Sequence, residues 1–346
     1  MNKPRKAVAL ISGGLDSMLA TKTIIEQGVH VEGINFYTGF CVEGHTHAIR
    51  SKDQAKPKRN NALWVAEQLG IKLHIIDVVE EYKNVLLKPK HGYGAHLNPC
   101  LDCKIFMVKK AKQWMEENQF DFIITGEVIG QRPKSQRKVT MPIIAEQSGA
   151  DDRLLRPMCA KNLPMTLPER EGWVNRELLH NFTGRSRKPQ FELAQQYGIK
   201  DYAQPAGGCC FLTNEHYSAK LADLWRSRGK REYELDDIML LKVGRHLRPQ
   251  SHFKLIIGRD EGECNFLEGY RSQFVHLRPT SHQGPLMLID GEPGAEDIHL
   301  AAQVLARYSA AEADQVTVEV NSIDGVSWPL QIKPMLAEQI PQEWYV

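Results

Sequence analysis

The hexapeptide SGGLDS at residues 12–17 constrains the fold more than any other stretch of the chain. It follows the apolar run AVALI, which is typical of a buried parallel strand, and precedes residues predicted to form a helix that ends at Gly28. A glycine pair in a strand-to-helix turn exposes backbone N–H groups, and the helix dipole adds partial positive charge. Ser12 and Ser17 add hydroxyl donors, while Asp16 can orient a metal ion or cap the helix. The sequence therefore favours a turn that binds a phosphate-type anion over an ordinary glycine turn without a ligand.

The alternation of apolar strands with helical patterns predicts an α/β fold with a doubly wound, mainly parallel sheet. Further strands are predicted at residues 29–36, 72–79 and 122–125, and helices at residues 60–69, 104–117, 169–179 and 190–197. Ligands of such sheets bind at the carboxyl ends of the strands, where residues 12–17 would lie. Gly126 begins a second glycine loop at a strand end, and this loop also carries Arg132. The two loops are candidates for closing over one nucleotide, and a simple turn is the alternative for the second loop.

The character of the sequence changes beyond about residue 217. We therefore divide the chain into an N-terminal domain of residues 1–216 and a C-terminal domain of residues 217–346. The second domain is predicted to be a smaller α+β domain. Its helices are predicted at residues 218–228, 234–239 and 295–308, and its strands at residues 240–247, 253–258, 274–277, 285–289, 316–320 and 326–332.

The composition is that of an ordinary globular protein, with 42% hydrophobic and 25% charged residues in a chain of 346. Its apolar runs are shorter than the roughly 18 residues of a membrane span, and its basic N-terminus lacks the features of a signal peptide. We therefore expect a cytoplasmic protein that does not enter a membrane. The net charge is only +2, but local basic clusters are compatible with a basic surface. These clusters lie at residues 56–59, 132–138, 185–188, 226–231 and 245–254.

Seven cysteines in a chain of this length do not indicate a disulfide framework, but their grouping is informative. Cys100 and Cys103 form a CxxC pair, and Cys209 and Cys210 follow a pair of glycines. Structural zinc sites normally have four closed ligands, whereas this pattern offers one pair and a distant cysteine. Three thiolates suit an iron–sulfur cluster with one iron open to a hydrosulfide. The alternative is persulfide chemistry, in which one cysteine accepts sulfur and another resolves it as a disulfide.

Three other residues are interpreted as structural. Asp102, inside the CxxC pair, is predicted to cap a helix that runs from Lys104 onward. Cys159 is interpreted as the replacement of a small polar residue in a loop. Cys264 is interpreted as a packing residue.

Several motifs resemble known families. SGGLDS resembles the signature of the PP-loop ATP pyrophosphatases, which cleave ATP to AMP and pyrophosphate. The tRNA thiolation branch of that superfamily is resembled by NPCLDCK, which follows the SGGLDS region. One subgroup of that branch, often labelled tRNA (5-methylaminomethyl-2-thiouridylate) methyltransferase, is resembled by four further motifs, ITGEVIGQRPKSQ, LRPMCAK, GRSRKPQ and PAGGCCFLT. The segment KLIIGRDEGECNFLEGY at residues 254–270 resembles an RNA-binding module of ribosome quality-control factors.

The resemblance implies which residues carry the sites. The pyrophosphate-loop roles would fall on Ser12, Gly13, Gly14, Asp16 and Ser17. In the related 4Fe–4S-dependent thiouridine synthases, a CxxC pair and a third cysteine ligate the cluster. Here these residues would be Cys100, Cys103 and Cys209, with Cys210 as the alternative third ligand. We add Gly126 and Arg132 as candidate ATP contacts and Asp16 as a candidate magnesium ligand.

The function expected from the residues and the resemblance together is ATP-dependent tRNA sulfurtransfer. ATP and Mg²⁺ would bind at residues 12–17, a uridine carbonyl oxygen would be adenylated, and sulfur would arrive through the three cysteines. A cysteine desulfurase or free sulfide would supply the sulfur. Two alternatives stay open. One is a PP-loop ATPase that thiolates or amidates a small molecule, and the other is an RNA-binding protein that senses ATP without catalysis.

Overall fold

The computed structural model describes residues 4–42, 59–203, 210–309 and 314–346. Contacts among them form two compact units, one made of residues 4–41 and 59–203 and the other of Val42 and the described residues from 210 onward. We expected the second domain to begin at residue 217, whereas residues 210–216 group with the second unit. None of the described helices is both long enough and apolar enough to cross a lipid bilayer.

The first unit is built on a five-stranded sheet in the order β3-β2-β1-β4-β5, in which neighbouring strands are parallel. This arrangement confirms the predicted parallel sheet. The strands are β1 (Lys6–Leu10), β2 (His30–Tyr37), β3 (Leu73–Asp77), β4 (Phe122–Ile124) and β5 (Leu154–Leu155). β1 lies in the middle, with β2 and β3 added on one side and β4 and β5 on the other. The strand order therefore reverses between β1 and β4.

Seven helices are described in this unit. They are α1 (Leu15–Ile25), α2 (Asn61–Leu69), α3 (Val79–Leu87), α4 (Cys100–Glu117), α5 (Thr140–Ser148), α6 (Leu167–Arg170) and α7 (Lys188–Gln196). The sequence did not predict α3 and α5. The helix predicted over residues 169–179 is wrong, because the segment contains only the end of α6 and a 3-10 turn at Arg176–Leu178. Between them Gly172 adopts a left-handed conformation, with φ of +65°, that a continuous helix does not permit.

Apolar side chains on both faces of β1 explain why helices pack on both sides of the sheet. Ala7 and Ala9 belong to a core that includes Leu19 of α1 and other side chains of α1 and α2. Val8 belongs to a second core that includes Val108 of α4. Since successive strand residues point to opposite faces, β1 is buried on both sides, as its uninterrupted apolar run predicted.

The second unit contains a six-stranded antiparallel sheet in the order β11-β10-β8-β9-β7-β6, which confirms the predicted α+β domain. Its strands are β6 (Arg245–Gln250), β7 (Phe253–Ile257), β8 (Val275–Pro279), β9 (Met287–Gly291), β10 (Val316–Asn321) and β11 (Ser327–Ile332). Its helices are α8 (Glu215–Arg228), α9 (Leu235–Leu240), α10 (Glu261–Glu268) and α11 (Ala295–Arg307). The strand predicted from residue 240 begins too early, because Leu240 ends α9. Gly244, with φ of +73°, leads the chain into β6.

The outermost strands of this sheet, β6 and β11, each contain a proline, Pro249 and Pro329. Proline has no N–H to donate to a neighbouring strand, and sheets tolerate it mainly at their edges. Beside β6, Leu247 forms an antiparallel bridge with Tyr345 near the end of the chain. Both edges of the sheet are therefore built in ways that reduce pairing with a further strand.

Candidate nucleotide and thiol site

The turn that joins β1 to α1 gathers polar donors. Gly14 is the N-cap residue of α1, and Gly13 adopts a left-handed conformation with φ of +77°. A Cβ on Gly13 would lie 2.8 Å from the Cβ of Asn61, so only glycine permits this close approach to α2. The Ser17 hydroxyl donates to the Gly14 carbonyl at 2.8 Å, and its oxygen lies 3.3 Å from that of Ser12. These hydroxyls lie beside the first N–H groups of α1, which have no acceptor within the helix.

The loop that follows β4 packs directly on this turn. A Cβ on Gly126 would lie 2.5 Å from the backbone nitrogen of Ser17 and equally close to the carbonyl carbon of Asp16. Glycine at this position therefore lets the end of β4 contact the first turn of α1. Because the strand order reverses between β1 and β4, the two loops form the crevice in which doubly wound sheets bind ligands. The role of Gly126 in binding ATP stays a prediction.

Asp16 lies in the first turn of α1 but makes no capping hydrogen bond. Its Oδ2 accepts from Gln131 Nε2 at 2.6 Å and lies 3.2 Å from Arg187 Nη2. Gln190 Nε2 donates to Gln131 Oε1 at 3.0 Å, which completes a chain of four polar side chains. Three buried atoms in this group have no hydrogen-bond partner, namely Asp16 Oδ1, Arg187 Nε and Gln190 Oε1. Sequence reasoning missed Gln131, Arg187 and Gln190. The signals present were the motif ITGEVIGQRPKSQ, which contains Gln131, and the motif GRSRKPQ, which contains Arg187 and Gln190.

The CxxC pair lies at the start of α4. The helix begins at Cys100 rather than at the predicted Lys104, with Pro99 as its N-cap. Both thiols are half-buried, and the Cys100 thiol donates to Ser135 Oγ at 3.2 Å. The prediction that Asp102 caps the helix is wrong, because its carboxylate instead accepts from the backbone N–H of His91 at 3.0 Å.

The third predicted thiol, Cys209, lies outside the described residues. The described chain of the first unit ends at Ala203, which forms a parallel bridge with Gly14. The alternative ligand Cys210 is described and half-buried in the second unit. Among the described residues, no group of three or more His, Cys, Asp or Glu side chains is arranged to hold a metal ion.

We call residues 128–137 the linking loop. It contacts both the turn at residues 12–17, which we call the nucleotide turn, and the start of helix α4, which carries the CxxC pair. Gln131 of this loop bonds to Asp16, and Ser135 bonds to Cys100. Four extended residues span at most about 14 Å, so the Cα atoms of Gln131 and Ser135 lie within that distance of each other. The candidate ATP contact Arg132 lies exposed on the same loop, and its role stays a prediction.

A family model described as the tRNA methyl transferase HUP domain matches residues 5–152, which include the turn at residues 12–17, the CxxC pair, the linking loop and strands β1 to β4. These residues are thus similar to the PP-loop tRNA thiolation family. A second model, described as the NFACT protein RNA binding domain, matches residues 244–345 of the second unit. Two separate parts of the chain thus match two different family models.

Curated relatives that match this region are 27–30% identical to this chain over the aligned residues. The tRNA-specific 2-thiouridylase MnmA of Mesoplasma florum is 28% identical over 158 residues, which are 42% of this chain and 42% of that protein. The probable tRNA sulfurtransferase of Thermococcus kodakarensis is 29% identical over 153 residues, which are 44% of this chain and 36% of that protein. The chain therefore spans less than half the length of either relative. A solved 4-thiouridine synthetase–RNA complex with bound ATP is 21% identical, covers 56% of this chain and 50% of that chain, and gives a TM-score of 0.34.

A buried ion pair connects the loop that follows β4 with the residue that follows β5. Glu127 and Arg156 are 1% and 6% exposed, and Glu127 Oε2 accepts from Arg156 Nε at 3.2 Å and from the Thr125 hydroxyl at 2.7 Å. Burial raises the pKa of the Glu127 carboxyl, but the positive charges of Lys104 and Arg156 and the hydrogen bonds from Thr125 and Arg156 outweigh it. The pKa of Glu127 therefore lies below its usual value.

Cys159 packs beside this ion pair, and the interpretation that it replaces a small polar loop residue stays a prediction. Cys159 is fully buried in a small cluster with Ile129 and Met141, and its thiol donates to the Glu127 carbonyl at 3.2 Å. Burial is the main cause that raises the pKa of the Cys159 thiol to about 12. Cys264 of the second unit packs against an apolar cluster, as predicted, and its sulfur accepts from the Leu286 N–H at 3.4 Å.

Cys159 should resist alkylation in the native protein. At about pH 8 its thiol is protonated and buried, whereas the thiolate is the species that reacts with iodoacetamide. Peptide mass spectrometry after brief labelling should find Cys159 unmodified in native protein and modified after unfolding in urea. Rapid labelling of Cys159 in the folded protein would contradict this environment.

Proposed function

We propose that this chain is an ATP-dependent tRNA sulfurtransferase. The observation that carries the proposal is the linking loop, which contacts the nucleotide turn through Gln131 and the thiol pair through Ser135. A thiolation reaction requires an activated oxygen and a sulfur nucleophile at neighbouring sites. The names of the curated relatives, a 2-thiouridylase and a probable tRNA sulfurtransferase, support the same class of reaction.

In the proposed reaction, the uridine carbonyl oxygen attacks the α-phosphorus of ATP, and the bond to pyrophosphate breaks. A sulfur nucleophile then attacks the ring carbon that carries this oxygen, and AMP leaves with the oxygen. The hydroxyls of Ser12 and Ser17 and the N-terminus of α1 would bind the phosphates. Asp16 fits Mg²⁺ by the chemistry of its donor, since one buried carboxylate oxygen lacks a hydrogen-bond partner.

The sulfur would pass through Cys100, Cys103 and Cys209. Cys100 and Cys103 lie one helical turn apart on α4, and their thiolates are the ligand type that iron–sulfur clusters use. When bound, a 4Fe–4S cluster with three protein ligands supplies an iron open to hydrosulfide. The alternative keeps the same residues without a cluster, with one cysteine carrying the sulfur as a persulfide and another releasing it by disulfide formation. Visible absorption of anaerobically purified protein distinguishes the two, because only the cluster gives a brown protein.

We further propose that the second unit binds the tRNA, as its match to an RNA-binding domain suggests. The basic residues that the sequence singled out there are largely paired with acids. Arg248 makes two hydrogen bonds to Asp223, and Lys254 is buried with its Nζ 3.3 Å from Asp290. An RNA surface on this unit would therefore use other cations, and binding should weaken as salt rises.

The decisive test is the nucleoside content of tRNA from a strain that lacks this protein. We expect one thionucleoside to disappear and to return when the wild-type chain is supplied. Purified protein should also form that nucleoside from unmodified tRNA with ATP and Mg²⁺ and release AMP. Sulfide is the sulfur source for the cluster chemistry, and a cysteine desulfurase with cysteine, which delivers sulfur already at the persulfide level, is the source for the persulfide alternative, with a thiol reductant to reopen the disulfide. Normal levels of every thionucleoside in the deletion strain would overturn the proposal.

Binding to tRNA separates this proposal from the small-molecule alternative. A tRNA sulfurtransferase should be retained on immobilised tRNA at about 50 mM salt and released at about 200 mM. An enzyme acting on a small molecule should not be retained at either concentration. A protein that binds tRNA and ATP but produces no AMP would instead match the non-catalytic alternative.

A further inference from the structure

The segment GRSRKPQ at residues 184–190 reaches the nucleotide turn, although the reaction described above assigns it no role. Arg187, the N-cap residue of α7, places a guanidinium nitrogen 3.2 Å from the Asp16 carboxylate. The Arg187 and Asp16 side chains are 20% and 19% exposed, so this charge is largely withdrawn from solvent. A fixed positive charge therefore lies beside the helix terminus where the phosphates are expected to bind.

The backbone of this segment is anchored on the loop that follows β4. Thr183 forms a parallel bridge with Ile129, and the Gly184 N–H donates to the Ile129 carbonyl at 2.7 Å. Gly184 is left-handed, with φ of +83°, which turns the chain toward α7. Three residues beyond Arg187, the fully buried Gln190 bonds to Gln131. Arg187 is thus held by contacts on both sides.

The polar group around Arg187 is incompletely satisfied. Arg187 Nε is a buried donor without a hydrogen-bond partner, and Asp16 Oδ1 is a buried acceptor without one. Unsatisfied buried polar atoms are rare in folded proteins, because each loses its hydrogen bond to water. A ligand that presents both phosphate oxygens and a cation would satisfy the two atoms at once. Magnesium pyrophosphate, as the leaving end of Mg–ATP, has both features.

We infer that Arg187 binds the β- and γ-phosphates of ATP, with its guanidinium positioned by the Gln131–Gln190 hydrogen bond. This inference rests on the proposed function for its ligand, but it concerns a residue and a subsite that the proposal leaves unassigned. Asp16 accepts from the arginine and holds it in the crevice. When Mg–ATP binds, Asp16 contacts the cation and Arg187 donates to the phosphates. Arginine suits this task because its planar donors match phosphate oxygens and its charge is permanent.

The test compares nucleotide affinities by titration calorimetry in Arg187→Ala, Arg187→Lys and the control Arg185→Ala. Arg185 lies in the same segment but is exposed. We expect Arg187→Ala to weaken Mg–ATP binding by roughly 10- to 100-fold, the value of a charge-assisted hydrogen bond. AMP, which lacks the β- and γ-phosphates, should bind as it does to the wild type. Arg187→Lys should be intermediate, and Arg185→Ala should bind both nucleotides normally.

The outcomes separate this inference from the proposed function. Unchanged affinity of Arg187→Ala for Mg–ATP, or an equal loss for ATP and AMP, overturns the phosphate assignment and leaves the sulfurtransferase intact. A wild-type chain that binds no ATP overturns both. Should the variants fail to fold, phenylglyoxal modification of the wild type answers the same question. Pyrophosphate with Mg²⁺ should protect Arg187 but not Arg185 from the reagent, and equal modification of Arg187 with and without pyrophosphate overturns the inference.

Discussion

Cys100→Ser should reduce tRNA thiolation by about a thousandfold or more and leave ATP affinity within about twofold of the wild type. Serine keeps the size of the side chain and can bond to Ser135 Oγ in place of the thiol. Its hydroxyl neither binds iron as a thiolate does nor carries a persulfide sulfur. Gln131, four positions before Ser135 on the linking loop, contacts Asp16, and the substitution does not change this contact. The measurement is thionucleoside formation in vitro, paired with an ATP titration of the same preparation.

Cys264→Ser is the matched control, because Cys264 is a partly buried thiol of the second unit whose sulfur accepts a backbone hydrogen bond. It should retain thiolation. If the protein carries a cluster, Cys100→Ser should also lose visible absorption, whereas in the persulfide alternative both proteins are colourless. Wild-type thiolation by Cys100→Ser would remove this residue from the chemistry under either alternative.

Arg156→Ala should lower the free energy of unfolding by about 3–5 kcal/mol, because it leaves the buried Glu127 carboxylate without its charged partner. The lost hydrogen bond from Arg156 Nη2 to the Met141 carbonyl, at 3.1 Å, adds to the effect. Denaturant unfolding at neutral pH measures the difference. Arg170→Ala is the control. Arg170 forms an ion pair with Asp152 on the surface, with both side chains more than 40% exposed, and such pairs contribute about 0–1 kcal/mol.

The difference in free energy of unfolding between the wild type and Arg156→Ala should shrink as the solution is acidified. In the wild type, the lowered pKa of Glu127 means that the pair contributes stability above the usual pKa of a glutamate, about 4.3. This contribution is lost only as the pH falls through the lowered value. In the variant, protonation relieves the cost of a buried unpaired charge, so the two proteins should differ less at about pH 5 than at pH 7. A deficit that is independent of pH would mean that lost packing, and not charge, causes the instability.

The local parts of the fold were predictable from the sequence. The apolar run of β1, the glycine pair and the helical pattern that follows are contiguous, so short-range preferences determine them. The start of α4 was mispredicted because Asp102 looks like a cap when only its neighbours in sequence are considered. In the structure, its carboxylate accepts a hydrogen bond from the backbone of His91, in a loop whose position cannot be predicted from the sequence.

The parts of the site that depend on distant contacts were not predictable. Arg187 reaches Asp16 across 171 positions of the sequence. Its motif indicated a basic segment before a helix, a pattern that solvent-exposed helices also show. In the second unit, the run at residues 245–254 indicated a basic surface, but Asp223 and Asp290 pair with two of its charges. Such neutralisation follows from tertiary packing, which composition does not reveal.

The prolines in β6 and β11 bear on how the second unit can recruit other molecules. An extended peptide that binds by β-augmentation needs a row of free backbone donors and acceptors along an outer strand. Pro249 and Pro329 interrupt that row, and the Leu247–Tyr345 bridge occupies part of the rim beside β6. The rims of this sheet therefore disfavour fibre-like self-assembly, and recognition by this unit is directed to its loops, helices and broad surfaces.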